Sequence, residues 1–138
     1  MPQTPIQINP IDLEPDVALG VGLPMNAATG AGLSSTFYTK DQVKANLRSL
    51  MSTKIGERVM QPEFGTRLWE YLFEPINSDL KTKKIFNEVK RCISLWIPYV
   101  TVTKIQFPIN EKENRVTVQI FYNIPNFNIE DDLELEVQ

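Results

Sequence analysis

The sequence predicts an α+β fold: helices packed on one side of a small, mostly antiparallel C-terminal sheet, preceded by an extended N-terminal arm. Three observations carry this reading. Apolar residues at helical spacing are confined to residues 39–96, and strict alternation is confined to residues 100–137. Residues 1–36 show neither pattern and hold five prolines and four glycines. Helices first and strands last is the order of an α+β domain.

The arm, residues 1–36, is interrupted by Pro2, Pro5, Pro10, Pro15 and Pro24 and loosened by Gly20, Gly22, Gly30 and Gly32. It is expected to have no core of its own and to order on a neighbour. Its apolar residues, Ile6, Ile8, Ile11, Leu13, Val17, Leu19, Val21 and Leu23, are too many for an inert tail. Residues 37–138 form the expected single domain, as the 138-residue length suggests.

The first helix is expected from Thr39, where Thr39 and Gln42 match a capping box. Val43, Leu47, Leu50 and Met51 make its apolar stripe. A short second helix is expected over Thr66–Phe73, stopped by Pro75. The third is capped by Asn77 or Ser78, with Leu80, Ile85, Val89, Cys92, Ile93 and Trp96 on its buried side. Pro98 ends it.

Val100, Val102, Ile105 and Phe107 predict a strand with a bulge near Lys104. Residues 110–114 read as a polar hairpin loop. Val116, Val118, Ile120 and Tyr122 alternate with Arg115, Thr117, Gln119 and Phe121. Leu133, Leu135 and Val137 alternate with Glu134 and Glu136 as a last strand.

Composition narrows the function. There is no His, which removes imidazole bases, His-based triads and zinc-helix motifs. Cys92, the one cysteine, has no His partner and sits on an apolar stripe, so it reads as core. A single cysteine cannot form an internal disulfide, which fits a reducing compartment. Residues 1–39 contain no Lys or Arg, unlike the start of a secretory signal. No apolar run has the length to span a bilayer. Asp12, Glu14 and Asp16 are the only charges before Lys40, and the remaining 14 basic and 14 acidic groups balance. No basic face for nucleic acid is expected, no membrane contact and no cofactor. The Gly20-Val21-Gly22 and Gly30-Ala31-Gly32 pairs lack the strand, helix and Lys of a phosphate loop. The acids of the arm read as a solvated or partner-facing patch rather than a cation site. Glu63, Glu70 and Glu74 are the carboxylates available to a glycoside hydrolase, and read as surface or capping groups.

The most distinctive stretch is Gly56-Glu57-Arg58-Val59-Met60-Gln61-Pro62-Glu63-Phe64-Gly65, followed by Leu72-Phe73-Glu74-Pro75. Two glycines and a proline around one aromatic describe a constrained connector. Arg58 within it is positioned to tie loop carbonyls or a carboxylate. Together with Lys44-Ala45-Asn46-Leu47-Arg48-Ser49-Leu50, this stretch resembles the signature of the contractile-tail baseplate wedge family. Those are small phage proteins that start the tail sheath, with relatives in type VI secretion, some labelled lysozyme-like. The resemblance runs from Phe37 to Val137, with Gly56, Arg58, Pro62, Phe64, Gly65 and Phe73 as structural motif residues. Where the family carries Glu-Pro-Arg, this chain has Ile97-Pro98-Tyr99. That predicts a more apolar contact, with Arg91 the nearby cation left to substitute for the missing charge.

The last strand has an acidic face, an apolar face and no basic residue after Arg115. Its residues alone leave two readings open: an edge protected by charge, or an acceptor for a partner's strand. The resemblance implies the second. It implies a non-enzymatic virion subunit in the tail baseplate, assembled in the bacterial host cytoplasm. Ile97, Pro98, Tyr99, Leu133, Leu135 and Val137 would meet other wedge subunits and the tail sheath protein, with tube or hub proteins as further candidates. The alternative is a peptidoglycan hydrolase of the tail.

Overall fold

A computed structural model describes residues 9–14, 16–23, 34–73, 78–107, 109–110, 115–127 and 129–137. The rest of the expected arm, Glu74, Pro75, the Asn77 cap and residues 111–114 of the hairpin loop lie outside the described residues. The elements are β1 (Gly20–Val21), β2 (Ser35–Thr36), α1 (Thr39–Ser52), α2 (Leu68–Phe73), α3 (Ser78–Trp96), β3 (Thr101–Gln106), β4 (Ile109–Asn110), β5 (Arg115–Ile124) and β6 (Ile129–Val137).

β5 is the organising strand. β3 and β4 pair with it antiparallel along one side, and β6 pairs along the other from Val116–Val137 to Ile124–Ile129. The expected bulge is present: the β3 register shifts between Val102 and Lys104. It lets Val102 and Ile105, three apart, both face inward. The inner face carries Val118, Ile120, Tyr122, Ile124, Leu133 and Leu135, all buried. α3 packs on β3 and α1 on β6, so the helices cover one side as expected. Each fully buried Leu or Ile stabilises the body by roughly 1.5–3 kcal/mol.

On α1 the predicted stripe of Val43, Leu47, Leu50 and Met51 is buried. On α3, Ile85, Val89, Cys92 and Ile93 are buried, but Leu80 is 60% exposed. Leu80 precedes Ile85 by five residues, which rotates it off a face of period 3.6. Among the described residues no helix is long and apolar enough to cross a membrane.

The start of α1 differs from the expected capping box. Tyr38 is the N-cap and offers no side-chain bond. The cap comes from the arm instead. Asp12 Oδ1 accepts from Thr39 N at 2.8 Å and from Thr39 Oγ1 at 2.7 Å. Asn9 Nδ2 adds a bond to Thr39 Oγ1 at 3.0 Å. Gln42 turns away to Thr36 Oγ1 and Asn46. β1 then pairs antiparallel with β2. The described part of the arm therefore contacts this chain's own α1. The physical reason is that α1 has orphan N–H groups and a positive dipole end, and Asp12 satisfies both.

Asp12→Ala should lower stability by about 0.5–2 kcal/mol, the usual cost of losing an N-cap. Urea unfolding measures it. Faster hydrogen exchange confined to the first turn of α1 and to β1–β2 should accompany the loss.

Candidate partner-binding site

The connector between α1 and α2 is a closed loop. Gly56 N–H donates to the Pro62 carbonyl at 2.8 Å, and Thr66 N–H to the Thr53 carbonyl at 3.0 Å. Gly56 and Gly65 have φ of 90° and 123°, which other residues resist. At Gly65 the requirement is doubled: a Cβ would stand 2.6 Å from the Thr53 carbonyl oxygen. Pro62 is exposed, and Phe64 is half-buried. Phe64 meets the Trp96 ring edge-on, with centroids 5.1 Å apart. Arg58 Cζ lies 3.8 Å over the Phe64 ring, and its Nη2 donates to Ser49 Oγ at 3.4 Å. Arg58 is thus anchored, but by a ring face and a hydroxyl instead of the expected carbonyls or carboxylate. Phe73 ends α2, and its side chain lies outside the described residues.

Behind the loop sits a polar cluster that the periodicity of α3 conceals. Glu88 is buried. Its carboxylate accepts from Arg91 Nε at 3.1 Å and Nη2 at 2.8 Å, and from Arg67 N at 3.3 Å. The Arg91 bond holds the Glu88 carboxyl below its ordinary pKa despite burial. Cys92 Sγ donates to the Gly65 carbonyl at 3.3 Å, and burial pushes its thiol up. Cys92 is core, as expected. Arg91 is committed to Glu88 one turn away, so it does not stand in for the cation missing at Tyr99. An acid spaced i, i+3 from a cation gives no sequence signal of burial. Only the passage of Gly65 over this turn does.

Ile97-Pro98-Tyr99 forms the corner from α3 into β3. Ile97 is buried and its N–H donates to the Ile93 carbonyl at 2.7 Å. Val100 N–H closes the turn on the Ile97 carbonyl at 3.1 Å. Pro98 is exposed. Tyr99 is partly exposed beside a shallow cleft with Leu19, Val43, Ile124 and Phe127. Of the three, Pro98 and Tyr99 face solvent, whereas Ile97 serves the core.

β6 lies at the sheet margin. Among the described residues no strand pairs with it on the side away from β5. Leu133 and Leu135 are 0% and 5% exposed. These side chains belong to this chain's own core, and the Val137 side chain lies outside the described residues. The edge therefore presents backbone, and the expected burial of Leu133 and Leu135 by a partner gives way to burial by α1 and β5. Arg48 of α1 reaches the Glu134 carbonyl at 3.5 Å. Asp131 also faces inward, opposite Tyr122. It accepts from Tyr122 Oη at 3.2 Å and pairs with Lys40 at 3.7 Å and Lys44 at 3.6 Å. Burial and the Asp131 charge push the Tyr122 hydroxyl up. The acidic run of β6 conceals this residue, because five acids in seven positions look alike until the pleat separates them.

Among the described residues no cluster could hold a metal ion. The family profile described as baseplate wedge protein gp25 matches residues 38–128. The chain belongs to the baseplate wedge protein gp25 family. The match includes the connector and the corner and stops one residue before β6. No curated protein matches at a significant level. Among solved structures, a proposed tail lysozyme from Geobacter sulfurreducens is 28% identical with a TM-score of 0.62, over 71% of this chain and 88% of that one. A chain of the anti-feeding prophage baseplate is 25% identical with a TM-score of 0.61, over 76% and 83%. A chain of the type VI secretion baseplate complex shares the fold at 12% identity and a TM-score of 0.50, over 70% and 89%. This wedge-family chain is thus a baseplate-type structural component with the α+β fold of contractile-tail proteins.

Glu88→Gln should destabilise this wedge-family body at neutral pH and flatten its acid limb. The folded carboxyl titrates below the unfolded one, whose ordinary value is 4.5. Its contribution is therefore complete above that value and lost as pH falls through the lower folded value. Thermal midpoints of both forms between pH 7 and 3 should converge as the pH falls.

Proposed function

We propose that this chain is a non-enzymatic wedge subunit of a contractile-tail baseplate. It seats among other baseplate subunits and templates the first sheath ring by accepting a sheath strand along β6. The observation that carries the reading is the open side of β6, backed over its length by β5. An added strand would gain backbone hydrogen bonds, each worth a net of about 0.5–1.5 kcal/mol. It would need no side-chain pocket, since Leu133 and Leu135 are already covered. Arg48 at the Glu134 carbonyl blunts the free edge until a strand replaces it. Pro98 and Tyr99 supply a second, more apolar contact to wedge neighbours, and tube or hub proteins are further contacts within the baseplate. The site of action is the virion tail, assembled in the host cytoplasm.

Because Leu135 is core, this edge is best probed by hydrogen exchange. Amides of β6 that face away from β5 should exchange fast in the isolated chain and at least tenfold more slowly in sheathed particles. Equal rates in sheathed particles and in baseplates with bare tubes would remove β6 from the mechanism.

The hydrolase alternative needs two carboxylates with divergent pKa values facing a cleft. Glu88 is tied to Arg91 and held ionised, the opposite of a general acid. Glu63 and Glu70 are exposed, and Glu74 lies outside the described residues. The purified chain should leave the turbidity of a cell-wall suspension unchanged. Clearing that Glu63→Gln or Glu70→Gln abolishes would reverse this.

A further inference from the structure

The tip of the connector carries two large apolar side chains in water: Val59 is 94% exposed and Met60 92%. No other apolar residues of the described chain stand out as far. A floppy loop would fold such residues back onto the body. This loop cannot, because its base is closed by the Gly56–Pro62 bond and by Arg58 clamped between Phe64 and Ser49. Phe64 is in turn braced on Trp96. The apolar pair is thus held out by a framework that spends a cation–π contact and two positive-φ glycines on its shape.

We infer that Val59 and Met60 form a preorganised anchor that inserts into a shallow apolar socket on a different protein subunit of the assembly. The surroundings fit an interface centre: Glu57, Arg58, Gln61 and Glu63, which flank the pair in sequence, are exposed and polar. Rigid presentation lowers the ordering cost of binding. Met adapts to the shape of an irregular pocket. A second copy of this chain is disfavoured. Two side chains cover far less than the roughly 800 Å² per partner of a stable interface. The anchor therefore acts inside a contact held elsewhere. A lipid surface is disfavoured by the two acids beside the tip, which anionic headgroups repel. The inference rests on the chain being one subunit of a larger assembly, and it assigns a seating contact separate from the β6 edge.

The test uses the full chain carrying Val59→Ser and Met60→Ser together, made in cells that assemble the particle. Its thermal midpoint should match that of the wild type, since both side chains are solvated. Its incorporation into purified baseplates should fall about tenfold or more, as for loss of an interface anchor. Val59→Ile with Met60→Leu should restore incorporation. A photo-cross-linking residue at position 60 should join the chain to a different polypeptide within the particle. Normal incorporation of the serine variant would overturn the inference while leaving the β6 reading intact. So would cross-links only to a second copy, or binding of the wild type to anionic vesicles that the serine variant loses. If the wild type itself is absent from baseplates, both readings fail. A serine variant that misfolds is resolved by the cross-link and by the conservative pair.

Discussion

The rest of the helical body depends on how closely Gly65 passes over the end of α1. At this point the chain leaves the connector with a φ of 123°, and no side chain fits between it and the Thr53 carbonyl. Three hydrogen bonds between the helices and this passage are made here. Thr66 hydrogen bonds to Thr53, and the Trp69 indole donates to the Met51 carbonyl at 3.1 Å, satisfying an acceptor at the C-terminal end of α1. The Gly65 carbonyl takes the Cys92 thiol of α3. A bulkier residue at 65 would force α1, α2 and α3 apart together. The cost would be backbone strain of order 1–3 kcal/mol plus the displaced packing.

A second constraint links this body to the sheet. Asp131 joins Lys40 and Lys44, one turn apart on α1, to Tyr122 of β5. It is a small set of interactions, and the exposed lysines limit its energy. Its effect is positional. It holds α1 across β6 so that Arg48 falls beside the Glu134 carbonyl. The arm reaches the same N-terminal part of this helix through Asp12, which accepts from Thr39. The described part of the arm, the first helix and the last strand are therefore tied together, although they are distant in sequence. The surfaces proposed for partners sit at separate places on the chain: the β6 margin, the Pro98–Tyr99 corner and the connector tip.

Much of this was legible beforehand. Strict alternation from Val116 to Tyr122 and from Leu133 to Leu135 admits one pleat, so the sheet, its buried face and even the Val102–Lys104 bulge followed from spacing. Val43, Leu47, Leu50 and Met51 likewise admit one helical face. The two connector glycines announced special backbone geometry, because residues with a Cβ rarely adopt positive φ. Periodicity misleads at Leu80, an apolar residue near the stripe that lies off its face.

What the sequence determined by itself was therefore everything governed by local period and by backbone permission: element type, order, inner faces and the connector. Partnership, by contrast, was set by the packed chain. Asp12 caps a helix 27 residues away, Asp131 is separated from its acidic neighbours by the pleat, and Arg58 chooses a ring over a carboxylate. Leu133 and Leu135 serve the core instead of a partner, which leaves backbone as the edge's offering. Charge and capping groups carry no period, and a polar side chain bonds whatever the packing of apolar residues brings within about 3 Å. Their roles become defined only after the hydrophobic faces have fixed which segments meet.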